Sequence, residues 1–265
     1  MIIIHSLYSL PLLNNRWGLL DQFKKSYYLY YLSFLYAKRL GYEVVLHTDN
    51  TGYELLKNIG YDRIELSLNE LTQEDSTFWS LGKIRALELE GLHSIHIDGD
   101  VFLKSKEIKT VFESNYDVLT QMIESQDSFT KDYVPQINLL NSVSNQLVSD
   151  MKHSYNCGVL AFKDPQLFSE YAQLFKELIA IYKSDVKIND FYKNEFRYYE
   201  KMLIIEQYSL PVIVNKLKKK SKFIINEHDD LDTVCDHYGF VHALGSSKYT
   251  DSFQALVKQR IKEIK

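Results

Sequence analysis

Over the first hundred residues, short apolar runs alternate with longer amphipathic stretches. Residues 2–5 form a β-branched run bounded by polar positions, and residues 43–47, 63–66 and 94–97 repeat that pattern, so each predicts a strand. Between them, residues 22–40, 53–59 and 79–90 read as helices, with Gly41, Gly60 and Gly91 placed where each would close. Strands alternating with glycine-closed helices predict βαβ units, an α/β fold with a mostly parallel central sheet.

Beyond residue 103 the pattern changes. Residues 118–123 are strand-like, and residues 124–153 are polar and rich in Asn and Ser, predicting irregular structure with a short helix. A strand over 157–162 precedes a helix over 166–182, opened by Asp164-Pro165. Residues 191–208 read as a helix that Pro211 ends, followed by strands over 212–215 and 223–226. A short strand over 240–242 leads to a C-terminal helix. With no repeat or linker, residues 1–265 read as one domain, its halves meeting near residue 103.

Composition narrows the class. Hydrophobic residues make up 45% and charged residues 25% of the 265, which fits an ordered globular chain. The net charge of -4 argues against nucleic acid as a partner. Two cysteines, Cys157 and Cys235, suit a reducing compartment. The start has no basic segment or cleavage site of a signal peptide, and no run approaches the length of a membrane span, so the expected location is cytoplasmic. Tyrosine is abundant at 20 residues. Tyr27, Tyr28, Tyr30, Tyr31 and Tyr36 crowd one helix and are expected against the sheet, while Tyr133, Tyr155, Tyr249 and Trp79 are expected near a cleft, free to stack on a base or sugar.

The candidate chemistry begins at Asp98-Gly99-Asp100, directly after the apolar strand over 94–97. Open α/β sheets bind ligands beyond the carboxyl ends of their strands. Two neighbouring carboxylates repel unless a cation lies between them or one keeps its proton. Hard divalent cations take such oxygen ligands, often shared with substrate phosphates. Gly99 permits a sharp turn and close approach of a ligand to the backbone. The same three residues would also suit a plain turn, but their place after a buried strand favours metal binding.

This block resembles glycosyltransferases of the GT-A fold, in which a strand-end Asp-x-Asp carries Mn²⁺ or Mg²⁺ on the diphosphate of a sugar nucleotide. Tyr155-Asn156-Cys157-Gly158-Val159 is similar to the Asn-x-Gly-Val stretch of the retaining glycogenin and lipopolysaccharide galactosyltransferase family, and His242-Ala-Leu-Gly245-Ser-Ser-Lys248 to its His-x-x-Gly-x-x-Lys. Glu206-Gln207 resembles the acidic-Gln pair that faces the donor sugar, and the four motifs follow the family's order over roughly residues 1–250. Segments 48–52, 79–83 and 96–103 also resemble a group of uncharacterised bacterial proteins regarded as glycosyltransferases. Lys248 is followed by Tyr249-Thr250 where the family has Pro-Trp.

The resemblance implies a metal-dependent transferase that moves a sugar from a nucleotide-diphosphate donor, a UDP-sugar, to a glycan or lipid-linked glycan. Retention of configuration and a place in bacterial surface polysaccharide synthesis come with it. Residues 1–103 would be the nucleotide-binding half, and residues 104–265 the half that completes the metal site and meets the acceptor. Asp98, Asp100 and His242 would hold Mn²⁺ or Mg²⁺. Gly245 and Lys248 would hold the diphosphate, and Asp98 would also reach the ribose. Lys83 could reach the diphosphate or the first aspartate. Asn156 and Gly158 would line the donor site, with Ser6 and Asp49 at the strand ends where the nucleoside should lie. Glu206 and Gln207 would be catalytic; a solvated helix face explains that pair equally well. Inversion would need a carboxylate base, for which Glu124 or Asp127 could serve.

Other signals are bland. His5, His47, His93, His96, His153, His228 and His237 show no ligand spacing and read as surface or structural. Lys216 to Lys222 holds five lysines, a solvated loop whose sharper reading is peripheral contact with anionic lipid at the inner membrane face. Acidic residues 227–232 lack calcium-loop spacing. Two alternatives stay open: a haloacid-dehalogenase-type phosphatase, which also places Asp-x-Asp at a strand end, and a non-catalytic sugar-nucleotide or glycan binder.

Overall fold

A computed structural model describes residues 1–14, 21–194, 200–226, 229 and 231–265. The chain divides into two compact units, the first formed by Met1–Ser76, Leu81–Ser114 and His228–Lys265, the second by Thr77–Ser80 and Asn115–Glu227.

The first unit is built on four parallel strands. Strand β1 (Ile2–Leu7) pairs with β2 (Glu43–Thr48) and with β4 (Ser94–Ile97), and β2 pairs with β3 (Arg63–Glu65). Ile3, Ile4, Val44, Val45, Leu46, Ile95 and Ile97 are buried, the continuous apolar composition of a parallel sheet covered on both faces. The Gln22–Arg39 helix buries Leu29, Leu32, Ser33, Tyr36 and Ala37, a stripe at helical spacing. Gly41, Gly60 and Gly91 all adopt positive φ, as helix- and turn-closing glycines should. The next helix runs over Asn50–Leu56, earlier than its apolar pattern predicts, because Asp49 caps it by accepting a hydrogen bond from the Gly52 N–H. The Leu81–Glu90 helix leads into β4.

After β4 the chain turns through residues 98–100, closed by a 2.9 Å bond from the Val101 N–H to the Asp98 carbonyl, and enters β5 (Val101–Leu103). A short helix, Ile108–Glu113, precedes the second unit. There β6 (Val118–Ile123) pairs antiparallel with β7 (Tyr155–Phe162) and parallel with β8 (Ser221–Phe223). β7 is buried along its whole length and the Pro165–Ser184 helix is amphipathic, capped by Asp164 as its Asp-Pro start predicts.

In this unit one expectation holds in part and another fails. The polar segment after β6 is irregular over residues 142–153 as expected, but its helix is longer than a short one, in three consecutive pieces, Gln126–Ser128, a π-helical turn Phe129–Tyr133, and Val134–Asn141. Ser125 caps the start, and Asn141 and Ser142 stand at the far end. Pro211 does not end a helix, and residues 212–215 are not a strand: a π-helical turn Leu203–Tyr208 runs into a helix, Ser209–Lys216. Pro211 sits just past the π-helical turn, where the i to i+4 hydrogen-bond pattern is already displaced, and burial of Val212, Ile213 and Val214 overrides their β preference. The strand expected over 223–226 lies instead over Ser221–Phe223, and the segment expected as a helix over 191–208 is helical where it is described, in Val186–Asn194 and on through Leu203–Tyr208, with residues 195–199 outside the described residues.

The chain then returns to the first unit. The Leu231–Tyr238 helix, unmarked in the sequence pattern, leads to β9 (Phe240–His242), and the C-terminal helix Asp251–Ile264 packs on the Gln22–Arg39 helix. β9 pairs antiparallel with β5, and Val101 faces His242. Among the described residues no helix is long and apolar enough to cross a membrane.

Candidate metal centre

The β5–β9 ladder explains how residues far apart in sequence meet. Its register places His242 opposite Val101, next to Asp100, and the Ala243 N–H donates to the Asp100 carbonyl at 3.0 Å. Asp98, Asp100 and His242 each offer a ligand atom, and these atoms lie within 4.8 Å of one another. Two carboxylate oxygens and an imidazole nitrogen fit Mn²⁺ well and Mg²⁺ acceptably.

Basic side chains flank both carboxylates. Lys248 donates a hydrogen bond to Asp100 Oδ2, and His242 Nε2 lies 3.5 Å from Asp100 Oδ1. Burial opposes ionisation of Asp100, but the Lys248 ammonium and the His242 imidazole outweigh it and hold the carboxyl well below the usual carboxylate range. Lys83 is 3% exposed, no surface lysine, and its Nζ lies 3.0 Å from Asp98 Oδ1. Of the two targets expected for it, the structure gives it the first aspartate.

His96 belongs to the same cluster, which its lack of ligand spacing had hidden. Its Nε2 lies 2.8 Å from Ser6 Oγ and its Nδ1 3.8 Å from Asp98 Oδ1. Burial first, and then the Lys83 charge, push its pKa well below the ordinary histidine value, so the ring is neutral. Strand alternation was the available signal: residues two apart on a strand share a face, which puts His96 and Asp98 on the same side.

Other expected residues have different surroundings. The space beside Gly99 belongs to Tyr30: a Cβ there would come within 2.4 Å of the ring, whose hydroxyl donates to the Ser6 carbonyl at 2.7 Å. Asp49 is committed to backbone, its two oxygens accepting from the Gly52 and Ser9 N–H groups at 2.7 and 2.8 Å. Gly245 has φ of +70° and open space where a Cβ would stand.

Asn156, Gly158, Glu206 and Gln207 belong to the second unit. Asn156 donates to Glu124 at 2.8 Å, and its Oδ1 accepts from the Gly158 N–H at 3.0 Å. Glu206 is fully buried in the π-helical turn, so it does not lie on a solvated helix face; Gln207 accepts from the Tyr133 hydroxyl. The tyrosines expected to stack on a ligand pack on protein instead. Tyr133 lies against Phe129, Tyr155 against His153 and Phe223, and Tyr249 is buried with Leu29 and Leu32. The lysine run is no simple loop: Lys216 ends a helix, Lys219 pairs with Asp164, and Lys222 lies in β8.

The strand topology and the strand-end turn define a GT-A-like α/β fold. The chain belongs to a family of unknown function, DUF6734, which matches residues 1–264. No match is found among curated proteins. Among solved structures, the apo form of the bifunctional glycosyltransferase WbbM is similar at 12% identity with a TM-score of 0.54, covering 100% of this chain and 51% of that one. The chain thus spans about half the length of WbbM. Looser similarities, which carry no weight here, are to the galactosyltransferase LgtC with donor and acceptor sugar analogues (12% identity, TM-score 0.45, 100% of this chain and 95% of that one) and to the glycosyltransferase GlyE of Streptococcus pneumoniae TIGR4 (9% identity, TM-score 0.45, 98% and 60%).

Proposed function

We propose that this protein is a metal-dependent glycosyltransferase that moves a sugar from a nucleotide-diphosphate donor, a UDP-sugar, to a glycan or lipid-linked glycan acceptor with retention of configuration, in bacterial surface polysaccharide synthesis. The observation that carries the reading is the convergence of Asp98, Asp100 and His242 within 4.8 Å at the end of a buried parallel strand. A divalent cation held there supplies Lewis-acid stabilisation of charge on a departing diphosphate.

In this reading the chain's own residues do the remainder. Lys248 and Lys83 bring ammonium charge to the anionic donor, each already placed on one of the two aspartates. Gly245, with positive φ and open space, lets backbone N–H groups approach the phosphates. Ser6 marks the nucleoside end of the site, and Asp49 shapes the neighbouring loop through its backbone bonds. Asn156, Gly158, Glu206 and Gln207 serve the sugar, the last two as the catalytic pair. Exposed lysines at 216 and 218 suit contact with an anionic lipid surface, consistent with a cytoplasmic protein peripheral to the membrane. A phosphatase would give His242 no part.

Calorimetry with UDP and other nucleoside diphosphates, with and without Mn²⁺, tests the reading. Mn²⁺-dependent binding that disappears in folded Asp100→Asn and His242→Ala variants is expected, together with transfer or slow hydrolysis of a sugar nucleotide by the wild type. Unchanged affinity in both variants would overturn the assignment.

A further inference from the structure

Ser6, His96 and Asp98 form a line of side chains across two neighbouring parallel strands. The β1–β4 register sets Ile4 beside His96, which brings Ser6, two residues further along, level with the strand end where Asp98 begins the turn. His96 is 1% exposed. One ring nitrogen is engaged, Nε2 lying 2.8 Å from Ser6 Oγ. The other, Nδ1, makes no hydrogen bond and lies 3.8 Å from Asp98 Oδ1. A buried polar atom left in that condition asks for an explanation.

The tautomer provides one. Were the proton on Nε2, the Nδ1 lone pair would stand 3.8 Å from a half-buried carboxylate oxygen, an unfavourable contact of like partial charge. With the proton on Nδ1, Ser6 donates to Nε2 and the N–H dipole is directed at Asp98. Lys83 Nζ approaches the same oxygen at 3.0 Å, so two protein groups draw Asp98 Oδ1 toward the strand. Donor groups behind metal-ligating carboxylates help to set the direction of the ligand.

We propose that His96 is a positioning residue for the metal site: anchored by Ser6 through Nε2, it presents Nδ1–H to Asp98 and orients the first carboxylate of Asp98-Gly99-Asp100. The inference rests on the metal-binding reading given above and adds to it a residue that binds no ligand itself.

The test separates the two ring nitrogens. His96→Asn keeps a donor near the Nδ1 position, and His96→Gln keeps a polar atom near Nε2. Mn²⁺ titrations followed by electron paramagnetic resonance are expected to show affinity within about threefold of wild type for His96→Asn and a loss of about 10- to 100-fold for His96→Gln. Near-ultraviolet circular dichroism checks that both variants fold. Equal affinities in the two folded variants, whether wild-type or weakened, would overturn the proposal. Should either variant fail to fold, long-range ¹H–¹⁵N spectra of the wild-type ring decide: a proton on Nδ1 supports the proposal and a proton on Nε2 overturns it. Asp100→Asn keeps the two readings apart. If it leaves Mn²⁺ binding intact, the metal centre itself is wrong; if it abolishes binding while His96→Gln binds normally, only the role of His96 falls.

Discussion

Lys248 donates a hydrogen bond to the Asp100 carboxylate across 148 positions of sequence, and both residues are only 8% exposed. A buried ion pair is costly to break from one side, because the remaining charge is stranded away from water. Lys248→Met is therefore expected to lower unfolding stability at neutral pH by about 3 kcal/mol. The double variant Lys248→Met/Asp100→Asn, which strands no charge, should regain a large part of that loss. Urea unfolding of the single and double variants measures both numbers, and a double variant no more stable than Lys248→Met would show that the pair does not hold this corner together.

Gly99 and Tyr30 make a second, steric pair. A methyl group at Gly99 would stand 2.4 Å from the Tyr30 ring, which the hydroxyl bond to the Ser6 carbonyl keeps from swinging aside. Gly99→Ala should cost about 1–3 kcal/mol, the usual range for overpacking. In a Tyr30→Ala background the same substitution should cost much less, and a double-mutant cycle by thermal unfolding reads the difference. Additive effects would mean that the two sites do not collide.

How much of this was legible beforehand follows from the kind of signal. The four parallel strands show as β-branched runs because both faces of that sheet are buried, and the closing glycines show because positive φ favours glycine. Asp98 and Asp100 were visible because their strand was; His242 came from a resemblance, since nothing local in β9 announces its pairing with β5. Residues 212–214 carry a strand-like composition yet are helical, because side-chain propensity yields to tertiary burial. Nothing in the local sequence marks Lys83 as buried, because lysines are mostly exposed and its burial depends on its partner Asp98. His96 needed only the period of a strand, applied from Asp98 backwards.

Asp49 separates a structural from a ligand-binding role. Its two oxygens accept from the Ser9 and Gly52 N–H groups, joining the end of one strand–helix connection to the cap of another. Asp49→Ala removes both acceptors and should destabilise the protein by about 1–3 kcal/mol, whereas Asp49→Asn, still an acceptor and a good cap, should cost less. If the backbone role is the whole role, Asp49→Asn will bind UDP as the wild type does. A folded Asp49→Asn with strongly weakened nucleotide binding would instead place the carboxylate on the nucleoside.

His5 contributes to the acid sensitivity of the first unit. It is fully buried on β1, with Nδ1 2.8 Å from the Tyr61 hydroxyl and Nε2 3.0 Å from Ser33 Oγ. Burial lowers its pKa from the ordinary 6.5 to about 3, with the Asp100 charge acting weakly in the opposite direction. The unfolded chain takes up a proton on this ring below pH 6.5, while the folded chain does not until the pH nears 3, so the unfolded state binds more protons across that window. Stability from His5 is thus fully present above pH 6.5 and declines as the pH falls, by about 1.4 kcal/mol per unit. Between pH 7.5 and about 4.5 the stability advantage of wild type over His5→Gln should shrink by about 2–3 kcal/mol. Urea unfolding of both proteins at the two pH values isolates the ring from the carboxylates, which titrate alike in each. A difference that stays constant with pH would mean that His5 titrates in the folded protein as it does in the unfolded chain.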